Sequence, residues 1–329
     1  MRRFFISVVL VFFTGILTAQ PLPVRLNHSV IIDTDCAIDD MRAISLLLSN
    51  PEVSIKAILI SDGSLPPGKG AVKAGSLLHE FRRNDIPVAA GVVLKGINPP
   101  WREFNDKISW GREVLPAIAS KNAVTVLTEE LKGSNERIIL VCLGPLTNIG
   151  QSISRDPGLV SQIERVVWYN ESVKPLQGFN YECDEENAGV VFRSGVRIDV
   201  ISNLDYVDAL FDQSFLKLAG ESKTDLGSAL YQVHSQDAVM EKLNQNHFRL
   251  TDDLVSIYLL NPELFSINTN TDKLNVRYNT GYDAGGVKEA LGDMIKGVYV
   301  SERNVVFNRF PAQREMFNYD VRPIMDSAI

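Results

Sequence analysis

Three cysteines in 329 residues, Cys36, Cys142 and Cys183, are too few for a disulfide framework in a chain of this size. Histidine is scarce as well. There are four, and none stands with a cysteine or a second histidine at the spacing of a zinc site. Positive charge is short: 33 Lys and Arg face 40 Asp and Glu, a net charge of −7. Sequence-independent binding to DNA or RNA needs a basic surface, so the balance argues against nucleic acid as a partner. Long apolar runs are nearly absent. The one present, Phe4 to Leu17, is about 14 residues and too short to span a bilayer comfortably. No second run follows, which excludes a polytopic membrane protein.

That single run has the form of a secretory signal peptide: Arg2 and Arg3, the apolar stretch, then Leu17-Thr18-Ala19. Cleavage is expected after Ala19, with a retained N-terminal anchor as the alternative. Removing residues 1–19 leaves 310 residues and a net charge of −9. No cysteine lies at the exit, so a lipid-anchored N-terminal cysteine is not expected. The chain reads as an exported protein, periplasmic or secreted, with a signal segment at 1–19 and one domain over 20–329. No membrane span remains after signal cleavage.

Within that domain two kinds of segment alternate. Short β-branched runs occur at Ser29–Ile32, Ile55–Ile60, Pro87–Val93, Arg137–Leu143, Arg165–Trp168 and Arg197–Ile201. Between them lie amphipathic stretches: Asp40–Ser49, Ala71–Arg83, Ala123–Lys132, Leu146–Ser154 and Glu185–Arg193. This alternation predicts an α/β fold, a single domain with a mostly parallel central sheet flanked by helices. Beyond about residue 204 the pattern turns helical (Tyr206–Ala219, Leu226–Leu243, Asp252–Leu260), then β-like at Lys273–Tyr278 and Val298–Phe307. The stretch Asn98–Gly111, with Pro99, Pro100, Trp101 and Trp110, reads as a long loop of the kind that often carries function.

The densest chemistry is in Ile31-Ile32-Asp33-Thr34-Asp35-Cys36-Ala37-Ile38-Asp39-Asp40. A buried strand runs into two acids, and two more open the next helix. In an open α/β sheet, ligands bind at the carboxyl ends of strands, where this turn places all four. Like charges so close repel, and a hard cation relieves them. An oxygen-only donor set favours Ca²⁺ or Mg²⁺ over zinc. Asp39 and Asp40 have a plainer reading too, as acids complementing a helix N-terminus. A phosphatase of the haloacid dehalogenase type also starts with Asp-x-Asp after a strand. It would want Thr or Val two residues past the second Asp, where Ala37 stands.

The segment DTDCAIDDM closely resembles the DTDPGxDDA signature of the inosine–uridine-preferring nucleoside hydrolase family. Three further stretches match in order. They are LGPLTN at Leu143–Asn148, Gly178-Phe179-Asn180 with Asp184–Ala188, and Asp252 ahead of Tyr258–Phe265. The resemblance covers about residues 28–326. It implies a Rossmann-like core, a small nucleoside as substrate, Ca²⁺ as cofactor, a homo-oligomer, and hydrolysis of the N-glycosidic bond to free base and ribose. Carried over residue by residue, it makes Asp35 the general base and a metal ligand. Asp40, the Leu143 carbonyl and Asp252 become further ligands, with Asp253 the fallback for Asp252 and Asp33 a supporting acid. Asp39 and Asn180 would hold the ribose. Trp168, Tyr169, Trp101 and Trp110 are the aromatic candidates for the leaving base.

The departures are specific. Cys36-Ala37 replaces Pro-Gly, and Gly63-Ser64 stands at the usual Gly-Asn. Gly178 stands where the family has a Glu that grips the ribose, and Tyr169-Asn170-Glu171 replaces Met-Gly-Gly. Thr251 replaces the His that helps the base depart. Among the histidines of the folded body, His79 reads as structural, while His234 and His247 border the expected base pocket. Cys36 reads as a small packing residue, with a Cys36–Cys183 bridge as the other option. The absent Glu and His leave two alternatives to a nucleoside hydrolase open: a hydrolase of a different N-riboside, and a non-catalytic nucleoside or sugar binder.

Overall fold

The fold was analysed in a computed structural model, which describes residues 28–112, 121–204, 209–269 and 275–299. The signal segment and most of Val298–Phe307 lie outside the described residues, as does the start of Tyr206–Ala219.

All six β-branched runs form strands: β1 (His28–Thr34), β2 (Val53–Ile60), β3 (Val88–Ala90), β4 (Ile138–Cys142), β5 (Ile163–Tyr169) and, after a two-stranded excursion, β8 (Ile198–Ile201). That excursion is a small hairpin of β6 (Ser172–Val173) and β7 (Leu176–Gln177). It was not legible as strand, and neither was β9 (Phe265–Asn268), which precedes β10 (Val276–Tyr282). The main sheet runs β3-β2-β1-β4-β5-β8-β10-β9, parallel throughout except for the β10–β9 edge pair.

The strand order reverses between β1 and β4. From β1 the chain steps outward to β2 and β3, then returns to the other side of β1. Connections leaving β1 and β4 therefore diverge at their carboxyl ends and leave a crevice there. Helices cover both faces. One core holds Val30 and Ile32 of β1; the other holds Ile31. This is the two-residue alternation of a strand buried on both sides.

The helix after β1, α1 (Ile38–Ser49), has no side-chain cap of its own at Ala37. Asn105 supplies one from afar, its Oδ1 accepting the Ile38 N–H at 3.1 Å. Asn105 belongs to the Asn98–Gly111 stretch, which is not all loop. It contains α3 (Arg102–Lys107), which follows α2 (Pro67–Glu80). The remaining helices are α4 (Ala123–Gly133), α5 (Thr147–Arg155), α6 (Phe179–Cys183), α7 (Glu185–Arg193), α8 (Gln213–Glu221), α9 (Asp225–His234), α10 (Asp237–Asn244), α11 (Asp252–Leu260) and α12 (Ala284–Lys296). The expected Leu226–Leu243 helix is thus two. Gln236 breaks it, its side chain bonded to both the N–H and the carbonyl of Ser109.

Candidate active site

The crevice at the ends of β1, β4 and β5 is a cavity of about 260 Å³. Its inner end is acidic, lined by Asp35, Asp39, Asp40, Asp252 and the Leu143 residue at the tip of β4. Its outer walls are aromatic: Trp101, Phe104, Phe179 and Phe248, with Lys242 and His247 beside them. Trp101 packs edge-on against Phe179 at 4.9 Å, and Phe104 stacks with Phe248 at 6.5 Å. Trp101 and Phe104 are three apart across the start of α3, so one helical face presents both.

Burial drives the acids. Asp40 is 1% exposed and Asp252 4%. Burial first, then their neighbouring carboxylates, holds both well above the usual carboxylate range. One oxygen of Asp40 is occupied by the Thr34 hydroxyl and the Asp35 N–H. Asp252 Oδ1 is buried with no partner. One oxygen from each of Asp39, Asp40 and Asp252 lies within 4.8 Å of the others, the one cluster of three such donors among the described residues. An unpartnered buried oxygen amid repelling carboxylates fits a hard divalent cation, which would remove the repulsion and supply the missing partner. Asp35 sits alongside. Burial pushes its carboxyl up to about 7 against the pull of the Ser64 N–H, which donates to Oδ2 at 2.8 Å.

The structure separates Asp252 from its neighbour. Asp253 takes a two-pronged bond from Arg42, at 2.9 and 2.7 Å, with both side chains 1% exposed. It is part of the packing behind the site, and Asp252 rather than Asp253 lines the cavity. Thr251, in the place of the family's His, donates its hydroxyl to Asp39. Asn180 donates to the Leu143 and Tyr169 carbonyls at 2.8 and 3.1 Å, which fixes its amide in the cavity wall.

Two expected site residues, Asp33 and Trp168, are absent from the cavity wall. Asp33 lies one strand step behind Asp35 on β1, where it accepts a bond from Asn148 at 3.0 Å, and burial raises it to about 7. Trp168 is fully buried on the far face of β5, packed against Phe192 with its indole donating to the Gly144 carbonyl, whereas Tyr169 does line the cavity. Trp110 is core. His234 is buried against Phe211 and bonded to the Leu230 carbonyl; His247 lines the cavity; His79 lies exposed on α2. All three cysteines are free, so the Cys36–Cys183 bridge is not formed. Cys36 adopts φ +61°, a conformation closed to the proline of the family signature.

Residues 30–311 match the family described as inosine-uridine preferring nucleoside hydrolase. The chain belongs to that family. Pyrimidine-specific ribonucleoside hydrolase RihA of Escherichia coli O9:H4 is 31% identical over 257 residues, covering 72% of this chain and 81% of that protein. Among solved structures, a plant nucleoside hydrolase, PpNRh1, superposes with a TM-score of 0.69 at 21% identity, covering 82% of this chain and 99% of that one. A purine-preferring ribonucleoside hydrolase from Gardnerella vaginalis superposes at 0.70 and 18% identity, covering 83% and 99%. The fold is therefore that of the nucleoside hydrolases, a family of N-glycosyl hydrolases, and the cavity lies where the four matched stretches converge.

Sequence reasoning missed Phe104, Phe179, Phe248, Lys242 and Glu171 in the cavity wall. A signal existed for two. Phe104 follows Trp101 at helical spacing, and Phe179 adjoins Asn180 in the matched stretch.

Proposed function

We propose that this nucleoside hydrolase family member is an exported, Ca²⁺-dependent ribonucleoside hydrolase, releasing free base and ribose. The observation that carries the reading is the polarity of the cavity. Carboxylates for a cation and sugar hydroxyls sit at one end, and aromatic faces suited to a flat base sit at the other, about 260 Å³ in all.

Asp39, Asp40, Asp252 and the Leu143 carbonyl are the groups that would hold the cation, with Asp35 beside them. When bound, the cation supplies positive charge that orients the ribose diol and acidifies nearby water. Asp35 takes a proton from the water that attacks the anomeric carbon, and the carbon–nitrogen bond breaks with its electron pair leaving on the base. The sugar becomes oxocarbenium-like as that bond stretches, and the surrounding carboxylates stabilise charge that is absent in the ground state. Tyr169 and Asn180 close the sugar side. Trp101, Phe104, Phe179 and Phe248 hold the base, and His247 is the group placed to protonate it as it departs.

The base itself is not fixed by family or fold, since the relatives named above differ in the bases their names specify. Export rests on the signal-like residues 1–19. The test is incubation of the mature protein with Ca²⁺ and a panel of purine and pyrimidine ribonucleosides, assayed for free base. Asp35→Asn should lower the rate on the order of 10²–10³-fold. Saturable nucleoside binding without base release, across the panel, would mean a binding protein instead. Base release from modified N-ribosides alone would favour a relative with a different substrate.

A further inference from the structure

Glu171 is an acid that no matched family stretch contains, and the structure sets it on the cavity wall between Tyr169 and Phe179. Its backbone is held tightly for a loop residue. The preceding Asn170 is fully buried; its amide donates to the Ser172 and Gln177 carbonyls and accepts from the Tyr181 N–H. Its own carbonyl accepts from the Ser202 hydroxyl at 2.6 Å. These bonds anchor the β6–β7 hairpin, whose return brings Gly178 back against Glu171.

The contact there is tight. A Cβ on Gly178 would lie 2.0 Å from Glu171 Oε2 and 2.8 Å from its Cδ, and the φ of +131° is itself closed to most L-residues. Glu171 is an exposed residue, but its carboxyl end rests over Gly178 and accepts the Phe179 N–H. A Glu at position 178, where the family pattern has one that grips the sugar, would thus have to adopt that strained φ and displace the carboxylate of residue 171 from the start of its path. Asn180 lines the same wall two residues on.

We propose that Glu171 binds a hydroxyl of the pentose, delivering from the β5 side the carboxylate that Gly178 lacks. This rests on the ribonucleoside reading above, which names the sugar. A carboxylate at the cavity wall accepts a hydrogen bond from a neutral hydroxyl without adding a donor that would compete with the cation.

The test compares wild type, Glu171→Gln and Glu171→Ala on uridine and inosine and on their 2′-, 3′- and 5′-deoxy analogues, with D-ribose binding measured by calorimetry in Ca²⁺. Glu171→Ala should lower kcat/KM about ten- to hundredfold on the full ribonucleosides, as for loss of a hydrogen bond to a charged group. On the one analogue lacking the contacted hydroxyl it should cost almost nothing. Glu171→Gln, which keeps an acceptor, should lose less. Unfolding temperature and its Ca²⁺ response should match wild type in both variants. Unchanged kcat/KM in Glu171→Ala, or an equal loss on every analogue, would overturn the proposal while leaving the nucleoside reading intact. If wild type releases no base but binds D-ribose, and Glu171→Ala weakens that binding tenfold or more, the nucleoside reading fails and the sugar contact stands. Absence of both turnover and ribose binding in wild type overturns both.

Discussion

Asp252 and Asp253 are adjacent, both buried and both acidic, yet the structure gives them unrelated work, and their Asn variants should part company. Asp253→Asn removes the charge that faces the Arg42 guanidinium across two bonds of 2.9 and 2.7 Å, with both side chains 1% exposed. Breaking a buried pair from one side leaves an uncompensated charge and costs about 3–5 kcal/mol. Unfolding entropy scales with length at about 2.1 cal/mol/K per residue, so over a domain of this size that is a fall of about 5–8 °C in Tm. Phe211 and Phe248 face the guanidinium at 5.2 and 5.7 Å and return a little of the loss.

Asp252→Asn should behave in the opposite way. It takes a repelling carboxyl out of a cluster whose members burial and mutual charge hold above their usual range. Without cation the variant should melt at or above the wild-type temperature. What it should lose is the cation's own contribution, about 2.7 kcal/mol for wild type at a hundredfold excess over Kd, or about 4 °C. Thermal unfolding in chelator and in millimolar Ca²⁺ reads both effects. A Ca²⁺ shift that survives in Asp252→Asn and vanishes in Asp253→Asn would refute the assignment of the two residues.

Three further outcomes are expected. His247→Ala should cut kcat on ribonucleosides about 10²-fold while sparing a p-nitrophenyl riboside, whose leaving group needs no proton; equal losses on both would remove His247 from that role. Trp101→Ala should raise KM about five- to tenfold with kcat nearly kept, since an aromatic contact of this kind is worth about 1 kcal/mol and the indole also bonds Ser64; a kcat effect without a KM effect would place it elsewhere. His234 is buried beside Arg42, and burial drops its pKa to about 3. The unfolded chain therefore binds a proton below about 6.5 that the folded chain refuses. Stability falls by about 1.4 kcal/mol per pH unit from there down towards pH 3. Replacing His234 by Phe should flatten the acid limb of Tm against pH relative to wild type, and parallel curves would contradict this.

The strands β1 to β5 and β8 were readable because they are largely buried and so appear as apolar runs. The acids at the end of β1 were readable because such a run makes any charge conspicuous. What escaped was whatever depends on partners distant in sequence. Gln236 splits a helix through Ser109, 127 residues away, and Asn105 caps a helix that starts at Ile38. The two-residue hairpin strands at Ser172 and Leu176 carry no periodicity to detect. Asp33 sits one strand step behind Asp35 and is taken up by Asn148, whereas Trp168 was misplaced by strand alternation. A motif places residues along a strand, but each successive side chain belongs to the opposite face of the sheet. Glu171 was visible only as a departure from the family pattern, and its partnership with Gly178 needed the hairpin to bring them together.

The arm that carries Trp101 and Phe104 is tied to the loop beneath it by Arg102, which donates to the Asp62 carboxylate and to the Gly63 and Ser64 carbonyls. Ser64 in turn donates its N–H to Asp35. In the proposed mechanism, recognition of the base and orientation of the proton-accepting acid therefore share one piece of backbone. The two cannot be retuned independently. A lineage altering its base preference through this arm would shift its catalytic carboxylate at the same time.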